Sequence, residues 1–261
     1  MVQHGNSRRI QSVSNACEII EVLRQTGGTT ISEIDEEVSL SMGSIHTQLA
    51  TLKDHGYIVQ KGHKYCLGPE LITLGEHVRN NTPVYAGGKD EIDELADKSG
   101  KTAFLVIEHK GLLFNVYESF GDKPFAPQYY QKKREIPHRH LHCTSSGKAI
   151  LSKLPEERIE EIIKQHGLDS MTSETITDRE TLLDELDETR ERGYSLADGE
   201  LIKAIRGVGV PVENDDRDVV GAVSVSAPRE YMTGDDFYEE TPKLVMKTAS
   251  TIGMNIQTRT Y

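Results

Sequence analysis

The first 68 residues lay down three short amphipathic helices and then switch to a strand pattern, an order that few folds can absorb. In residues 13–23, Val13, Ala16, Cys17, Ile19, Ile20 and Leu23 recur at helical spacing and give one apolar face. Gly27-Gly28 ends that helix. "TISEIDEEVSL" comes next, with Thr30 or Ser32 as the N-cap and the acids of residues 33–37 near the helix start. In "SMGSIHTQLATLKDHG", Ser41 caps a third helix, Ile45, Leu49 and Leu52 form its buried stripe, and Gly56 stops it. "YIVQKGHKYCLG" then reads as two short strands around a Lys61-Gly62-His63 turn with a basic tip.

Helix, helix, turn, helix and two-stranded wing is the order of a winged helix-turn-helix. That motif puts its second helix into the DNA major groove, with the helix's N-terminal residues against base edges. On this reading Ser41, Met42, Gly43, Ser44, His46 and Thr47 meet the bases. Ser and Thr bond several base types, and Thr also offers a methyl to thymine. Arg8, Arg9, Lys53, His55, Lys61, His63 and Lys64 fall on the arm, the helix end and the wing, where they position the protein on phosphates without reading sequence. A small helical domain with ordinary surface charges would show the same pattern.

Charge does not decide between the two. The net charge is −12, distributed as 7 Lys/Arg against 9 Asp/Glu in residues 1–88 and 23 against 33 in residues 89–261. The first segment is the less acidic, and neither is basic. An acidic, tryptophan-free chain suits a salt-adapted organism such as an archaeon, although lysine is not depleted. In about 1 M salt the Debye length is ~3 Å, so only direct contacts to a polyanion would count. With no apolar run of ~18 residues, no transmembrane helix is expected. "MVQHGNSRRIQSVSNA" lacks the apolar core of a signal peptide. Three widely spaced cysteines, Cys17, Cys66 and Cys143, suggest neither a disulfide framework nor a metal clamp and fit a reducing cytoplasm.

"PELITLGEHVRNN" predicts a helix begun by Pro69. Pro83, Gly87 and Gly88 are expected to interrupt the segment after it, which places a domain boundary near 81–89. Beyond it, a helix over 90–98 precedes the strands "TAFLVIEH" and "LLFNVYES", joined at Lys110-Gly111. SSGKAILSKL and PEERIEEIIKQHG read as helices, and "TDRETLLDELDETRERG" as another, capped by Asp178 or Thr177 and stopped by Gly193. "GVGVPVENDDRDVVGAVSVSAP" is a strand, a polar turn and a strand, and residues 241–258 close the chain as a helix. Hairpins packed on helices make an α+β domain with an antiparallel sheet.

These stretches resemble the IclR family of transcriptional regulators. "SVSNACEIIEVLRQTGGTTISEIDEEVSLSMGSIHTQLATLKDHGYIV" and "YCLGPELITLG" are similar to its DNA-binding region. "LHCTSSGKAILSKLP", "TITDRETLLDELDETRERGYSLADGE" and "GVPVENDDRDVVGAVSVSAP" are similar to its effector domain. The resemblance implies a winged helix-turn-helix over 8–70, a linker helix and hinge over 71–88, and a GAF-like effector and oligomerisation domain over 89–258. It implies a homodimer or tetramer on a palindromic operator in double-stranded DNA. The effector it implies is a small organic acid, an aromatic acid or a sugar-derived metabolite, with no cofactor and no membrane partner. Carried over, the effector site takes in His142, the Thr144, Ser145, Ser146 and Gly147 turn, and Ser224 and Ser226, while Glu200 and Arg206 remain as polar partners. Met42 and Thr47 replace common basic residues, and Gly207 and Ala197 replace a cysteine and an aspartate that contact ligand in some relatives. Physically, a Ser-Ser-Gly turn opening a helix offers hydroxyls and unpaired N–H groups, and alternate serines on an apolar strand share one face. Helix capping by Ser145 and serines facing water are the plainer alternative.

"HRHLHC" at 138–143 has three readings. In a strand His138, His140 and His142 share a face and offer neutral imidazoles to zinc, nickel or copper, which would make the protein a metal-responsive regulator. Same-face neighbours lie ~7 Å apart, however, too far for all three to reach one ion. They otherwise serve as a pocket rim favouring an acidic effector, or as an ordinary polar strand. Cys143 beside His142 resembles a nucleophile and its base, but consecutive strand residues face opposite ways. SSGKA also lacks the glycine at 142 and the hydroxyl at 149 of a P-loop. No enzyme activity is expected.

Overall fold

In the computed structural model, which describes residues 9–122 and 139–259, the chain forms two compact units that divide between Val78 and Arg79. The first unit contains α1 (Gln11–Thr26), α2 (Ile31–Glu37) and α3 (Met42–Asp54), then β1 (Ile58–Lys61) and β2 (Lys64–Leu67) as an antiparallel hairpin. Ile19, Leu23, Ile34, Ile45, Leu49 and Ile58 form its core, each such side chain contributing about 1.5–3 kcal/mol when removed from water. Val13 and Cys17, expected on the apolar face of α1, are exposed. The stripe that is buried runs through Asn15, Ile19 and Leu23, with Ala16 and Ile20 partly buried against the same core.

Local signals explain where these helices begin. The N-cap of α2 is Thr30 rather than Ser32. Its Oγ1 accepts from Glu33 N at 3.4 Å while the Glu33 carboxylate accepts from Thr30 N at 2.8 Å, a complete capping box. Bonds from the Thr29 hydroxyl, the Thr30 amide and the Thr30 hydroxyl hold the Glu33 carboxyl down at about 2. Ser41 Oγ caps α3 by accepting from Ser44 N at 3.3 Å. Thr29 and Tyr65 exchange both backbone hydrogen bonds, which ties the wing to the segment ahead of α2.

α4 (Glu70–Asn80) buries none of its side chains, and Ile72 and Val78 are 68% and 66% exposed. α5 (Pro83–Ser99) runs straight through the glycines expected to break it, with Pro83 in the first turn. The glycines answer a packing demand instead. A Cβ on Gly87 would lie 3.0 Å from Ile256, and one on Gly88 would lie 3.0 Å from Ile252 and 3.1 Å from Leu105.

The second unit is built on a six-stranded antiparallel sheet in the order β5-β4-β3-β8-β7-β6. Its strands are β3 (Thr102–His109), β4 (Leu112–Phe120), β5 (Arg139–His140), β6 (Ser195–Asp198), β7 (Ile205–Glu213) and β8 (Val219–Pro228). Strand alternation divides the core in two. Ala103, Leu105, Val208, Val210, Val223 and Val225 pack under α5 and α9 (Thr241–Arg259). Phe104, Val106 and Ala222 face α6 (Ser145–Leu151), α7 (Glu156–His166) and α8 (Arg179–Arg192), which is capped by Asp178. β5, a short piece of the histidine stretch, and β6, which the sequence did not lead one to expect, complete the two edges.

Thr30→Ala should lower stability by about 1 kcal/mol through loss of the cap, read from urea unfolding followed by helix circular dichroism at pH 7. Because the Glu33 carboxyl lies below its ordinary value of 4.5, its contribution is fully present above that pH. It is lost as pH falls toward 2, so the gap between wild type and Thr30→Ala should narrow through that window.

Candidate effector cavity and candidate DNA-reading surface

Two glycines on β7 let α6 lie directly on the sheet. Gly207 pairs with Ser226 and Gly209 with Ser224. A Cβ on Gly209 would lie 2.4 Å from Ser145 O, and one on Gly207 would lie 2.7 Å from Ser145 Oγ. Thr144, not Ser145, caps α6, its Oγ1 accepting from Gly147 N at 3.0 Å. Gly147 is required by close packing, since a Cβ there would lie 2.1 Å from Leu141 O. The Ser195 hydroxyl, from the edge strand, donates to Ser145 O and fixes the helix start.

Beside this contact lies a cavity of about 360 Å³. Thr144, Ser145, Ser146, Glu200, Ser224 and Ser226 all line it, together with Arg206. Phe104, Val106, Leu113, Phe114, Ile202 and Ile205 form its apolar wall. Gly147 and His142 do not line it. Sequence reasoning missed Arg79, Asn115, Glu118 and Cys143. Glu118 and Asn115 sit on β4, whose alternation reads as an ordinary half-exposed strand, so no local signal marked them. Arg206 is held by Asp198 through Nε (2.9 Å) and Nη2 (3.0 Å) and donates to Met232 O at 3.0 Å.

Lys148, in the first turns of α6, is 1% exposed. Its ammonium lies 2.7 Å from Glu200 Oε1 and 3.1 Å from Glu185 Oε1, and Arg192 Nη2 lies 2.7 Å from the same Glu185 oxygen. The four charges balance and join α6, α8 and the turn after β6. Burial pushes the Glu200 carboxyl up, outweighing the opposite pull of Lys148. Lys148→Met should cost about 3–5 kcal/mol by leaving Glu200 buried without its cation, read as a lowered urea midpoint. Gly209→Ala should cost about 1–3 kcal/mol by overpacking against Ser145.

The histidine stretch is not the strand expected. β5 ends at His140, and 141–144 is a turn. His138 lies outside the described residues. The His140 and His142 rings still meet, 5.5 Å between centroids. His142 Nε2 lies 3.1 Å from Asp169 O, and burial lowers its pKa, so the imidazole is neutral near pH 7. Both histidines line a small separate recess with His166, while buried Cys143 lines the large cavity and sets its Sγ 3.6 Å from His140 O. His142 and Cys143 therefore serve different spaces, for a reason other than strand alternation. Among the described residues no group of three His, Cys, Asp or Glu side chains is arranged to hold a metal ion.

On the first unit, Ser41, His46, Thr47 and Lys53 are exposed along α3, Ser44 is half-buried, and Lys61 and Lys64 are exposed on the wing. Thr47 Oγ1 donates to Gly43 O at 2.9 Å, which engages its proton within the helix. Arg9 is exposed just ahead of α1, and Arg8 lies outside the described residues.

Comparison with known proteins adds an independent line. A family model described as the bacterial transcriptional regulator IclR C-terminal domain matches residues 77–254, and the IclR helix-turn-helix domain model matches residues 12–62. The chain is 38% identical over 256 residues to the probable HTH-type transcriptional regulator ArcR of Halobacterium salinarum, covering 98% of this chain and 97% of that one. It shares its fold with an IclR transcriptional regulator from Alicyclobacillus acidocaldarius at a TM-score of 0.78 and 23% identity, covering 95% of this chain and 100% of that chain. It also shares it with an IclR homolog from Microbacterium hydrocarbonoxydans complexed with 4-hydroxybenzoate, at a TM-score of 0.78 and 18% identity, covering 96% and 100%. With both units matched in order over nearly the whole length, the chain belongs to the IclR family of DNA-binding transcriptional regulators.

Proposed function

We propose that the cavity over β7 and β8 is the effector site of this regulator. The observation that carries the reading is a cavity of about 360 Å³ with an apolar wall on one side and the hydroxyls of Ser145, Ser146, Ser224 and Ser226 on the other. That volume lies within the range of small-molecule sites, which pair apolar walls with a few placed polar groups. The effector is a small organic acid, an aromatic acid or a sugar-derived metabolite. The likeness to a structure complexed with 4-hydroxybenzoate supports a ligand of that general size. The role of the chain is regulation rather than catalysis, and it acts in the cytoplasm.

Residues 8–70 form the DNA-binding domain and α4 the linker, while α5, whose Val84, Gly87 and Gly88 pack into the second unit, begins the effector and oligomerisation domain that runs to 258. Ser41, Ser44, His46 and Thr47 read base edges, while Arg8, Arg9, Lys53, Lys61 and Lys64 hold phosphates. Two such domains in a homodimer or tetramer match the half-sites of a palindromic operator. Linkage then requires that an effector weakening the operator complex bind more weakly to that complex than to the free protein.

A mobility-shift titration on the DNA upstream of the protein's own gene, at two salt concentrations, tests the first part. A competitor-resistant shift is expected, and removing Lys61 and Lys64 together should lower the salt slope by about 2. An empty genome-wide binding map would overturn it. For the cavity, Ser224→Ala and Ser226→Ala should keep operator affinity and weaken the response to effector at least tenfold. An unchanged response would move the effector site elsewhere.

A further inference from the structure

We infer that Arg79 is the positioning residue that carries effector occupancy from the cavity to α4, acting against the ring of Tyr85. The inference rests on reading the cavity as the effector site.

The first ground is the place of Arg79 in the chain. The two compact units divide between Val78 and Arg79, so Arg79 opens the second unit while it still lies in the last turn of α4. Residues 72–78 and Asn80 are exposed, whereas Arg79 is half-buried and lines the cavity. The next lining residue along the chain, among the described residues, is Phe104 on β3. A ligand shifts an equilibrium only through interactions that differ between the two states. In the described wall of the cavity, the contact that belongs to α4 is Arg79.

The second ground is how this side chain is held. Its guanidinium carbon lies 5.4 Å from the centre of the Tyr85 ring, in the first turn of α5. Tyr85 meets Tyr117 of β4 edge-on, with 5.7 Å between centroids, and Tyr117 is itself among the cavity's lining residues. Tyr117 is fixed in turn. Its hydroxyl donates to the Asp93 carboxylate at 2.9 and 3.2 Å, and Lys89 Nζ lies 5.5 Å from its ring centre. Tyr85 is thus a ring braced against the sheet on one side and carrying a cation from α4 on the other.

The third ground is chemical. A guanidinium holds five N–H donors in one plane, so it can lie on a ring by its face and donate along its edge. An effector oxygen in the cavity, whether of a carboxylate, a carbonyl or a hydroxyl, takes a donor at that edge while Tyr85 keeps the face. Occupancy pins Arg79 between ligand and ring, and with it the last turn of α4.

The test is hydrogen exchange, read by mass spectrometry on the full-length protein with and without an operator duplex taken from the genome-wide map. Coupling between two sites is reciprocal, so operator binding must be felt at the cavity. In wild type the duplex should change exchange in residues 113–118 and 200–207 about fivefold or more, the low end of ordinary allosteric coupling. In Arg79→Ala that change should disappear while the duplex still protects α3 and the wing, a separation that a merely structural role would not produce. Tyr85→Phe, which keeps the ring, should retain the cavity response, and Tyr85→Leu should lose it. That pair carries the comparison should Arg79→Ala fail to fold. A cavity response that persists in both Arg79→Ala and Tyr85→Leu would overturn the inference and leave the cavity as the effector site. No cavity response in wild type would remove both, because an uncoupled cavity cannot regulate.

Discussion

The second unit turns on a lysine ammonium kept out of water. Lys148 sits in a seven-residue helix too short to be stable by its own hydrogen bonds. The hold on that helix is tertiary: Lys148 bridges Glu185 of α8 and Glu200 of the turn after β6, and Ser195 seizes Ser145 from the other side. Two charges desolvated together seldom add net stability over an apolar pair of the same shape. Their contribution is geometric, because an ammonium surrounded by fixed carboxylates admits few alternative positions. Through it the placement of the serine turn, one wall of the cavity, is tied to an edge strand and to a helix far away in sequence.

The cavity arises where side chains are missing. On β7 the positions facing α6 are glycines, while their neighbours Val208 and Val210 point into the opposite core. On β8 the same face carries Ala222, Ser224 and Ser226 against Val223 and Val225 on the other. One face of the sheet is thus filled with branched residues and rigid. The other combines small residues, which let a helix backbone come close, with hydroxyls that would be costly to bury against apolar neighbours alone. A space lined partly by such hydroxyls keeps them in reach of water or ligand.

Much of this was legible in the sequence because it depends on local chemistry. The caps at Thr30, Ser41 and Asp178, the wing around Gly62 and the serines alternating on β8 are each specified within a few residues. The features that were not legible depend on distant neighbours. Gly87 and Gly88 read as breakers, yet the atoms that require them belong to Leu105 and to Ile252 and Ile256 on α9. Nothing near Lys148 in the sequence marks it as buried, because its partners Glu185 and Glu200 come from distant segments. His142 reads as a cavity residue by position, but its ring turns to Asp169, and the strand expected around it stops at His140 because the chain must turn to start α6. Glu118 carries no signal at all, since its place in the cavity wall comes from register across four strands.

The charge distribution constrains how such a protein meets DNA. The whole chain carries −12, and residues 1–88 are close to neutral, so no broad positive field draws it to a polyanion. At physiological salt the Debye length is about 8 Å, and at 1 M it is about 3 Å. Under either condition the acidic second unit repels DNA only where phosphates come near it. On the proposed reading, attraction is confined to the few cations that would touch phosphate directly, Arg9, Lys53, Lys61 and Lys64 among the described residues of the first unit. A protein with so few phosphate contacts has a shallow salt dependence and weak non-specific binding. Were the start of α3 to read bases as proposed, discrimination would fall more heavily on its short polar side chains than on charge.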